Sequence, residues 1–144
     1  MRVKEVMSKD VECAAPSDSL TKVAQRMLDL DIGALPVGGD ADQWIGIVTD
    51  RDITVRGTAQ GCDPNSTPVS SVMTPGIVSC AEDDQLEEAA HIMEQKQIRR
   101  LVVLNRKQRP VGILSLGDIA VKSHNNELSG EALEQISEPV GAGA

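Results

Sequence analysis

The chain has 144 residues, a net charge of −8 at pH 7 and a single aromatic side chain, Trp44. This length is enough for one ordinary domain, or for two small units that share a core. The negative charge argues against binding to a nucleic-acid backbone, and single-stranded nucleic acid would find no aromatic stacking platforms. We therefore predict no nucleic-acid partner and an aliphatic core.

Membrane and metal sites are not expected either. No stretch approaches the length of a membrane span, and charged residues interrupt the first ten positions, which argues against a signal peptide. We predict no membrane partner and a cytoplasmic location.

The three cysteines show no Cys-x-x-Cys spacing, which favours reduced and mostly buried thiols. His91 and His124 have no ligand-spaced companions, so we predict no metal site.

An internal repeat organises the sequence. A shift of 66 positions aligns apolar residues without a gap, for example Val3 with Val69 and Met27 with Met93. Such a repeat usually defines the architecture. One copy alone would bury too little surface to be stable. We therefore predict two pseudo-twofold-related units that face each other across a cleft with two related sites.

The first copy contains predicted elements in the order strand, helix, strand, strand, helix. Val11-Glu12-Cys13 is a short extended run, and a helix capped by Ser17 or Ser19 continues to about Asp31. Residues 34–37 and 44–48 are predicted strands, joined by a turn at 38–40. A second helix starts near Thr49 and fades toward Gly57 and Gly61. Turn and breaker residues then fill the linker 62–68.

The second copy repeats this order. Residues 77–79 are extended, residues 101–104 and 110–114 are strands, and a helix containing Leu86 precedes them. The last helix of the repeat begins at Ser115. The tail adds a short helix with Ser129 as its cap and Leu133 and Ile136 on one side. Residues 141–144 are expected to be disordered.

These elements predict an α/β chain, more closely an α+β sandwich, in which each unit has a small three-stranded sheet and two helices. The predicted domain boundaries are 3–61 for the first unit, 62–68 for the linker, 69–123 for the second unit and 124–144 for the tail.

The sharpest motif is Gly-apolar-apolar-Thr/Ser-x-x-Asp, which occurs at residues 46–52 and again at 112–118. It places a hydroxyl and a carboxylate on the first turn of a helix that follows a buried strand. The carboxylate can accept both hydroxyls of a ribose, and the helix start can face a phosphate. The glycine lets a ligand or a neighbouring element approach the strand closely.

The same spacing is also a helix-capping signature, so two interpretations remain open. Caps vary freely among Ser, Thr, Asn and Asp. Both copies nevertheless keep glycine, hydroxyl and Asp, which favours contact with a ligand. The residues concerned are Thr49, Asp52, Ser115 and Asp118.

With this doubled motif, and with Ile-Gly-Ala-Leu-Pro-Val at 32–37 and Ile-Arg-Arg-Leu-Val-Val at 98–103, the chain resembles a CBS (cystathionine-β-synthase) domain pair, or Bateman module. The resemblance spans about residues 3–122. The first copy is similar to small stand-alone bacterial proteins of the hypoxic-response type. Two departures are Val102, where the family often has proline, and Gly33-Ala34, which replaces a basic pair.

The resemblance implies an adenosyl ligand in the cleft between the copies: AMP, ADP or ATP, with NAD and S-adenosylmethionine as alternatives. It assigns the ribose to the two motif aspartates, and the ribose or phosphate to the two motif hydroxyls. It places phosphates near Arg99 and Arg100. The adenine is expected against the short first strands, near Val11 and Glu12 in one copy and Ile77 and Val78 in the other.

No catalytic residues are predicted. Asp50 and Asp52 point in different directions from a helix, and no nucleophile or histidine accompanies them. We therefore expect a regulatory binding module that senses an adenosyl ligand and acts on another protein, which the sequence does not identify. Wide apolar helix stripes, with Leu28 and Leu30 beside Met27, and the family resemblance predict a homodimer. The alternative is a structural dimer or interaction protein that binds no nucleotide.

Overall fold

The computed structural model describes residues 1–39 and 43–139 and divides the chain into two compact units. We call Val11–Ile77 the central unit, and Met1–Asp10 together with Val78–Ala144 the terminal unit. The predicted turn at Asp40 and the predicted disorder of 141–144 lie outside the described residues. Within the described part, no helix has the length and apolar character needed to cross a membrane.

In the central unit, an antiparallel sheet has the order β1-β2-β3, formed by Ala34–Gly38, Trp44–Thr49 and Thr74–Pro75. Helix α1 spans Leu20–Leu30 and is capped by Ser19, whose hydroxyl accepts from the Lys22 N–H at 3.1 Å. The second helical segment starts as α2, Asp50–Asp52. It continues as a π-helical turn at Ile53–Gly57 and a 3-10 turn at Thr58–Gln60.

The terminal unit has the sheet order β4-β5-β6, formed by Ser79–Ala81, Arg100–Leu104 and Pro110–Ser115. Strand β4 runs parallel to β5, and β5 and β6 are antiparallel. Its helices are α3, α4 and α5, which span Leu86–Lys96, Leu116–Lys122 and Asn126–Ser137. The predicted mixed α/β class with three-stranded sheets is confirmed.

The first residues of each copy, 1–10 in the first and 69–77 in the second, pack against the other copy, and we call them the opening segments. In the terminal unit, the Val3 N–H donates to the Asp84 carbonyl at 2.9 Å, and Ser8 pairs with Ile113 of β6. In the central unit, the Val69 N–H donates to Asp18 at 2.7 Å. The compact units therefore cut across the repeat boundaries, because each opening segment completes the sheet of the other copy.

Each unit has an aliphatic core. In the terminal unit, Leu86, Met93, Leu101, Leu114 and Ile119 are all 0–2% exposed. The corresponding residues of the central unit include Leu20, Val23, Leu35, Val37 and Val48. Apart from methionines and Cys80, the buried residues of both clusters are aliphatic, and their stabilisation scales with the apolar area removed from water.

The cysteines are thiols that differ in burial. Cys80 lies in the terminal core, where desolvation raises its pKa to about 12, while Cys13 and Cys62 are half-buried. Burial also raises the pKa of the Cys13 thiol, although the nearby Arg26 opposes this. The thiolate is the reactive form, so Cys80 is expected to be inert.

Two local predictions need correction. The tail helix begins at Asn126 and is capped by Asn125, whose side-chain oxygen accepts from the Leu128 N–H at 3.0 Å. Ser129 is therefore inside the helix and is not its cap. The first extended segments also pair later than predicted: Ala14 bridges Val37, and β4 begins at Ser79.

Candidate functional site

Both copies of the Gly-apolar-apolar-Thr/Ser-x-x-Asp motif form complete capping boxes. Thr49 and Ser115 are the N-caps of α2 and α4, and their hydroxyls accept from the N–H groups of Asp52 and Asp118 at 3.1 and 2.9 Å. In return, the aspartate Oδ2 atoms accept from the Thr49 and Ser115 N–H groups at 3.0 and 3.1 Å. The motif therefore satisfies helix-start N–H groups that would otherwise lack partners.

The same carboxylates contact the opening segment of the other copy. Ser8 Oγ lies 3.5 Å from Asp118 Oδ2, and Thr74 Oγ1 lies 3.5 Å from Asp52 Oδ2. Asp52 is only 9% exposed. Each motif aspartate thus joins the start of its helix to the segment that crosses beside it.

A basic residue one turn further along the helix completes each junction. In the terminal unit, Lys122 Nζ lies 3.2 Å from Asp118 Oδ1 and 3.3 Å from the Val6 carbonyl. In the central unit, Arg56 Nε lies 3.9 Å from Asp52 Oδ1, and an Arg56 terminal nitrogen donates to the Met73 carbonyl at 3.2 Å.

The motif glycines make room for the crossing segments. A Cβ atom at Gly112 would lie 2.5 Å from the Ser8 carbonyl oxygen and 3.0 Å from the Met7 sulfur. At Gly46 it would lie 2.5 Å from the Thr74 carbonyl oxygen. The close approach predicted from sequence is therefore made by protein backbone at both positions.

A cavity of about 610 Å³ in the terminal unit brings several predicted residues together. Arg99, Arg100 and Ser115 line it. Asp118 shares the capping box with Ser115 but does not line the cavity. The other lining residues are Leu116, Gly117, Ala120, Asn126, Ser129, Gly130 and Leu133.

The two arginines give this cavity its electrostatic character. Arg99 is exposed and Arg100 is half-buried. Within residues 1–39 and 43–139, neither guanidinium forms an ion pair, whereas Arg26 and Arg56 pair with Glu12 and Asp52. Two consecutive arginines on one cavity wall, neither paired with a carboxylate among the described residues, form a site suited to an anion in a chain of charge −8.

The central unit has different chemistry at the equivalent positions. Gly33 and Ala34 replace the arginine pair, and a Cβ atom at Gly33 would lie 3.0 Å from the Asp50 carboxylate. Arg51 occupies the position of Gly117 in the repeat, so the first copy has a basic residue, but not at the positions of Arg99 and Arg100. The Asp50 carboxylate would repel a phosphate bound beside Gly33.

The predicted adenine contacts do not line the 610 Å³ cavity. In the central unit, Val11 and Ile77 are half-buried, and the exposed Glu12 pairs with Arg26 at 3.1 Å. In the terminal unit, Val78 is 38% exposed, and its carbonyl accepts from the Val102 N–H at 3.0 Å.

Sequence reasoning missed the contribution of the tail helix to the cavity. Four residues of α5 line it: Asn126, Ser129, Gly130 and Leu133. The spacing of these positions, three, four and seven apart, is that of one helix face. The sequence predicts Leu133 and Ile136 on one side of this helix, but Ile136 is buried in the core whereas Leu133 is 47% exposed on the cavity wall.

The protein is a tandem repeat of two small α/β units. In each unit, a strand leads through a capping box into a helix. A sequence model of the CBS domain matches residues 3–56 and 69–125. The chain belongs to the CBS domain family, and the resemblance predicted from its motifs is confirmed.

Two sequence relatives cover most of the chain. It is 42% identical to the CBS domain-containing protein YhcV of Bacillus subtilis, covering 94% of both chains. It is 38% identical to Hypoxic response protein 1 of Mycobacterium tuberculosis, covering 81% of both.

Solved structures show the same fold. The crystal structure of Hypoxic Response Protein I with two coordinated zinc ions aligns with a TM-score of 0.74 at 36% identity, covering 85% of this chain and 98% of that one. The CBS domain pair of protein MJ0100, in complex with 5′-methylthioadenosine and S-adenosyl-L-methionine, aligns with a TM-score of 0.73 at 27% identity, covering 83% and 93%. In the described part of this chain, no group of three or more His, Cys, Asp or Glu residues could hold a metal ion.

Proposed function

We propose that this chain is a regulatory module whose terminal unit binds an adenosyl ligand and thereby regulates another protein. The observation that carries the proposal is the 610 Å³ cavity, which Arg99, Arg100 and Ser115 line and where neither arginine pairs with a carboxylate of the described part of the chain. A phosphate can be held by two parallel hydrogen bonds from one guanidinium. We therefore favour AMP, ADP or ATP, which have a terminal phosphate, over S-adenosylmethionine, which has no phosphate, and over NAD, whose diphosphate is bridging. The adenosyl compounds bound by the MJ0100 pair support this ligand class.

In this proposal, the cavity residues and the neighbouring Asp118 have separate roles. Arg99 and Arg100 bind the phosphates, and Ser115 lies between phosphate and ribose. Asp118 binds the ribose diol. Its carboxylate has about four acceptor positions; Oδ2 accepts from the Ser115 N–H, while Oδ1 has Lys122 beside it. Oδ1 therefore keeps acceptor capacity for a ribose hydroxyl.

The remaining predicted residues complete the proposal. Thr49 and Asp52 form the equivalent ribose site of the central copy, with weaker phosphate binding because Gly33 and Ala34 replace the arginines. Residues 11–12 and 77–78 are the proposed adenine contacts.

A second candidate function is supported by the capping boxes. Since Asp52 and Asp118 already satisfy helix-start N–H groups and contact Thr74 and Ser8, their presence in both copies has a structural reason. In this alternative, the chain is an interaction protein that binds no nucleotide.

Ligand titration of the wild-type chain separates the two functions. AMP, ADP, ATP, adenosine, NAD and S-adenosylmethionine are each added in a thermal unfolding experiment and in calorimetry. A ligand of the native state stabilises it by about 2.7 kcal/mol at a hundred-fold excess over Kd, so we expect a clear rise in Tm with AMP or ATP. No binding by any of the six compounds would leave the interaction protein as the function. Chromatography of the nucleotides after incubation should show them unchanged.

We also propose that the chain forms a homodimer through helix α1. Leu28 is 79% exposed and Leu30 is 41% exposed on this helix, and large apolar side chains at the surface often mark an interface. Light scattering should give about twice the chain mass of 15.3 kDa, and Leu28→Glu should lower that value toward one chain. A mass near 15.3 kDa for the wild type across micromolar concentrations would contradict the dimer.

A further inference from the structure

Helix α5 lies beyond the CBS-matched segments, which end at residue 125. One of its faces nevertheless belongs to the terminal core. Ala132 is fully buried, Ile136 is 8% exposed, and Leu128 packs against the same cluster. The Gln97 amide nitrogen also donates to the Glu138 carbonyl at 2.9 Å and to the Gln135 carbonyl at 3.3 Å. The helix is therefore fixed to the terminal unit at its C-terminal end and along one face.

A second face of α5 lines the cavity that carries Arg99 and Arg100. Leu133 is 47% exposed although it is a large apolar side chain on a cavity wall. Asn126 and Ser129 add polar groups to the same wall, and the Ser129 hydroxyl donates to the Asn126 carbonyl at 3.3 Å. This hydroxyl keeps its acceptor positions for a ligand.

The acidic residues of α5 occupy a third face. Glu127, Glu131 and Glu134 are exposed. Their spacing places them away from both the core positions and the cavity positions of the helix. The cavity wall of α5 is therefore neutral, although the helix as a whole is acidic. A neutral wall opposite two arginines does not weaken their attraction for an anion.

We infer that α5 forms a specificity-determining wall of the anion cavity and that the bound ligand holds this helix in place. This inference rests on the proposed function. The wall combines hydrogen-bonding groups at Asn126 and Ser129 with the apolar Leu133, and Leu116 and Ala120 of α4 line the same cavity. It fits a ligand that joins a phosphate to an uncharged ring system, and it selects against inorganic phosphate alone.

Gly130 gives a direct way to test the wall. A Cβ atom at this position would meet no heavy atom within 4 Å, and the residue lies inside the helix on the cavity lining. Gly130→Leu should therefore fold, because leucine is a better helix former than glycine, while its side chain enters the cavity. Gly130→Ala adds one methyl group and leaves most of the space free.

The experiment is calorimetric titration of the full-length variants with AMP and with ATP. We expect Gly130→Leu to weaken both by about tenfold or more, since a ligand forced against added methylene groups loses affinity. Gly130→Ala should weaken both by a smaller factor than Gly130→Leu, because one methyl group fills less of the cavity. The matched control Glu131→Leu puts the same side chain on the exposed face; it also removes a negative charge, which would favour an anion, so it should not weaken binding.

Hydrogen exchange supplies a measurement that needs no variant. Saturating ATP should slow exchange of the α5 amides in the wild-type chain, because a ligand that contacts the helix opposes its local opening. Wild-type affinity in Gly130→Leu, or unchanged α5 exchange at saturation, would overturn the inference and leave the proposed function intact. If the wild type binds none of the six compounds tested above, the proposed function and this inference both fall.

Discussion

Gly112→Ala should lower the free energy of unfolding by about 1–3 kcal/mol, the range typical of extra atoms forced into a packed site. The alanine Cβ would lie 2.5 Å from the Ser8 carbonyl oxygen. That atom is backbone, and it accepts a 3.1 Å hydrogen bond from the Ile113 N–H. It cannot turn away as a flexible side chain can, so the opening segment must shift as a whole.

The movement should spread along the opening segment of the terminal unit. Ser8 contacts Asp118, and the Val6 carbonyl accepts from Lys122. Displacing the segment therefore weakens these contacts as well as the backbone pairing with β6. The loss should be in the upper part of the range, because strained backbone and broken hydrogen bonds add to each other.

Urea unfolding followed by circular dichroism measures this effect, and the same substitution elsewhere provides the control. Gly130→Ala replaces a helical glycine that has open space around its Cβ direction, so it should stabilise the chain by about 0.5–1 kcal/mol. Gly46→Ala should destabilise the central unit, since its Cβ would lie 2.5 Å from the Thr74 carbonyl oxygen. Wild-type stability in Gly112→Ala would show that the opening segment does not pack against β6 as described.

The repeat made most of the fold predictable. Its ungapped offset fixes two similar units, and apolar periodicity located α1 and the strands that follow it close to their observed positions. The exchange of opening segments could not be predicted, because residues 1–10 have the same sequence pattern whichever copy they contact. Pairing with residues 78–139 is a long-range choice that local propensity does not encode.

The site was predictable only in part, for two physical reasons. A capping box and a ribose site require the same hydroxyl and carboxylate spacing, so the sequence alone does not separate them. The structure shows that the caps exist at Thr49 and Ser115. Helix α5 was hard to assign because Gly130 lowers its helix propensity and Ser129 imitates a cap.

The largest expected effect on binding comes from Arg100→Ala. Loss of a hydrogen bond to a charged group costs about 1.5–3 kcal/mol, so the affinity for ATP and AMP should fall by about ten- to a hundredfold. Adenosine has no phosphate, and its affinity should change by less than about threefold. Arg99→Ala should act in the same direction but more weakly, because Arg99 is the more exposed of the two and solvent screens its charge.

Two controls separate direct contact from net charge. Arg106→Ala removes the same charge from the terminal unit at a side chain that is 89% exposed and pairs with Asp83, so ATP affinity should stay close to wild type. Arg100→Lys keeps the charge but loses the bidentate geometry. It should therefore give an intermediate affinity for ATP.

Asp118→Asn tests the ribose contact within the same titrations. The asparagine oxygen can still accept from the Ser115 N–H and preserve the cap, while the negative charge that binds the diol is lost. Adenosine, AMP and ATP should all weaken by a similar factor, since they share the ribose. Equal losses of adenosine and ATP in Arg100→Ala would rule out its phosphate role. If Asp118→Asn and Asp52→Asn both bind adenosine, AMP and ATP as the wild type does, the two carboxylates act only as helix caps.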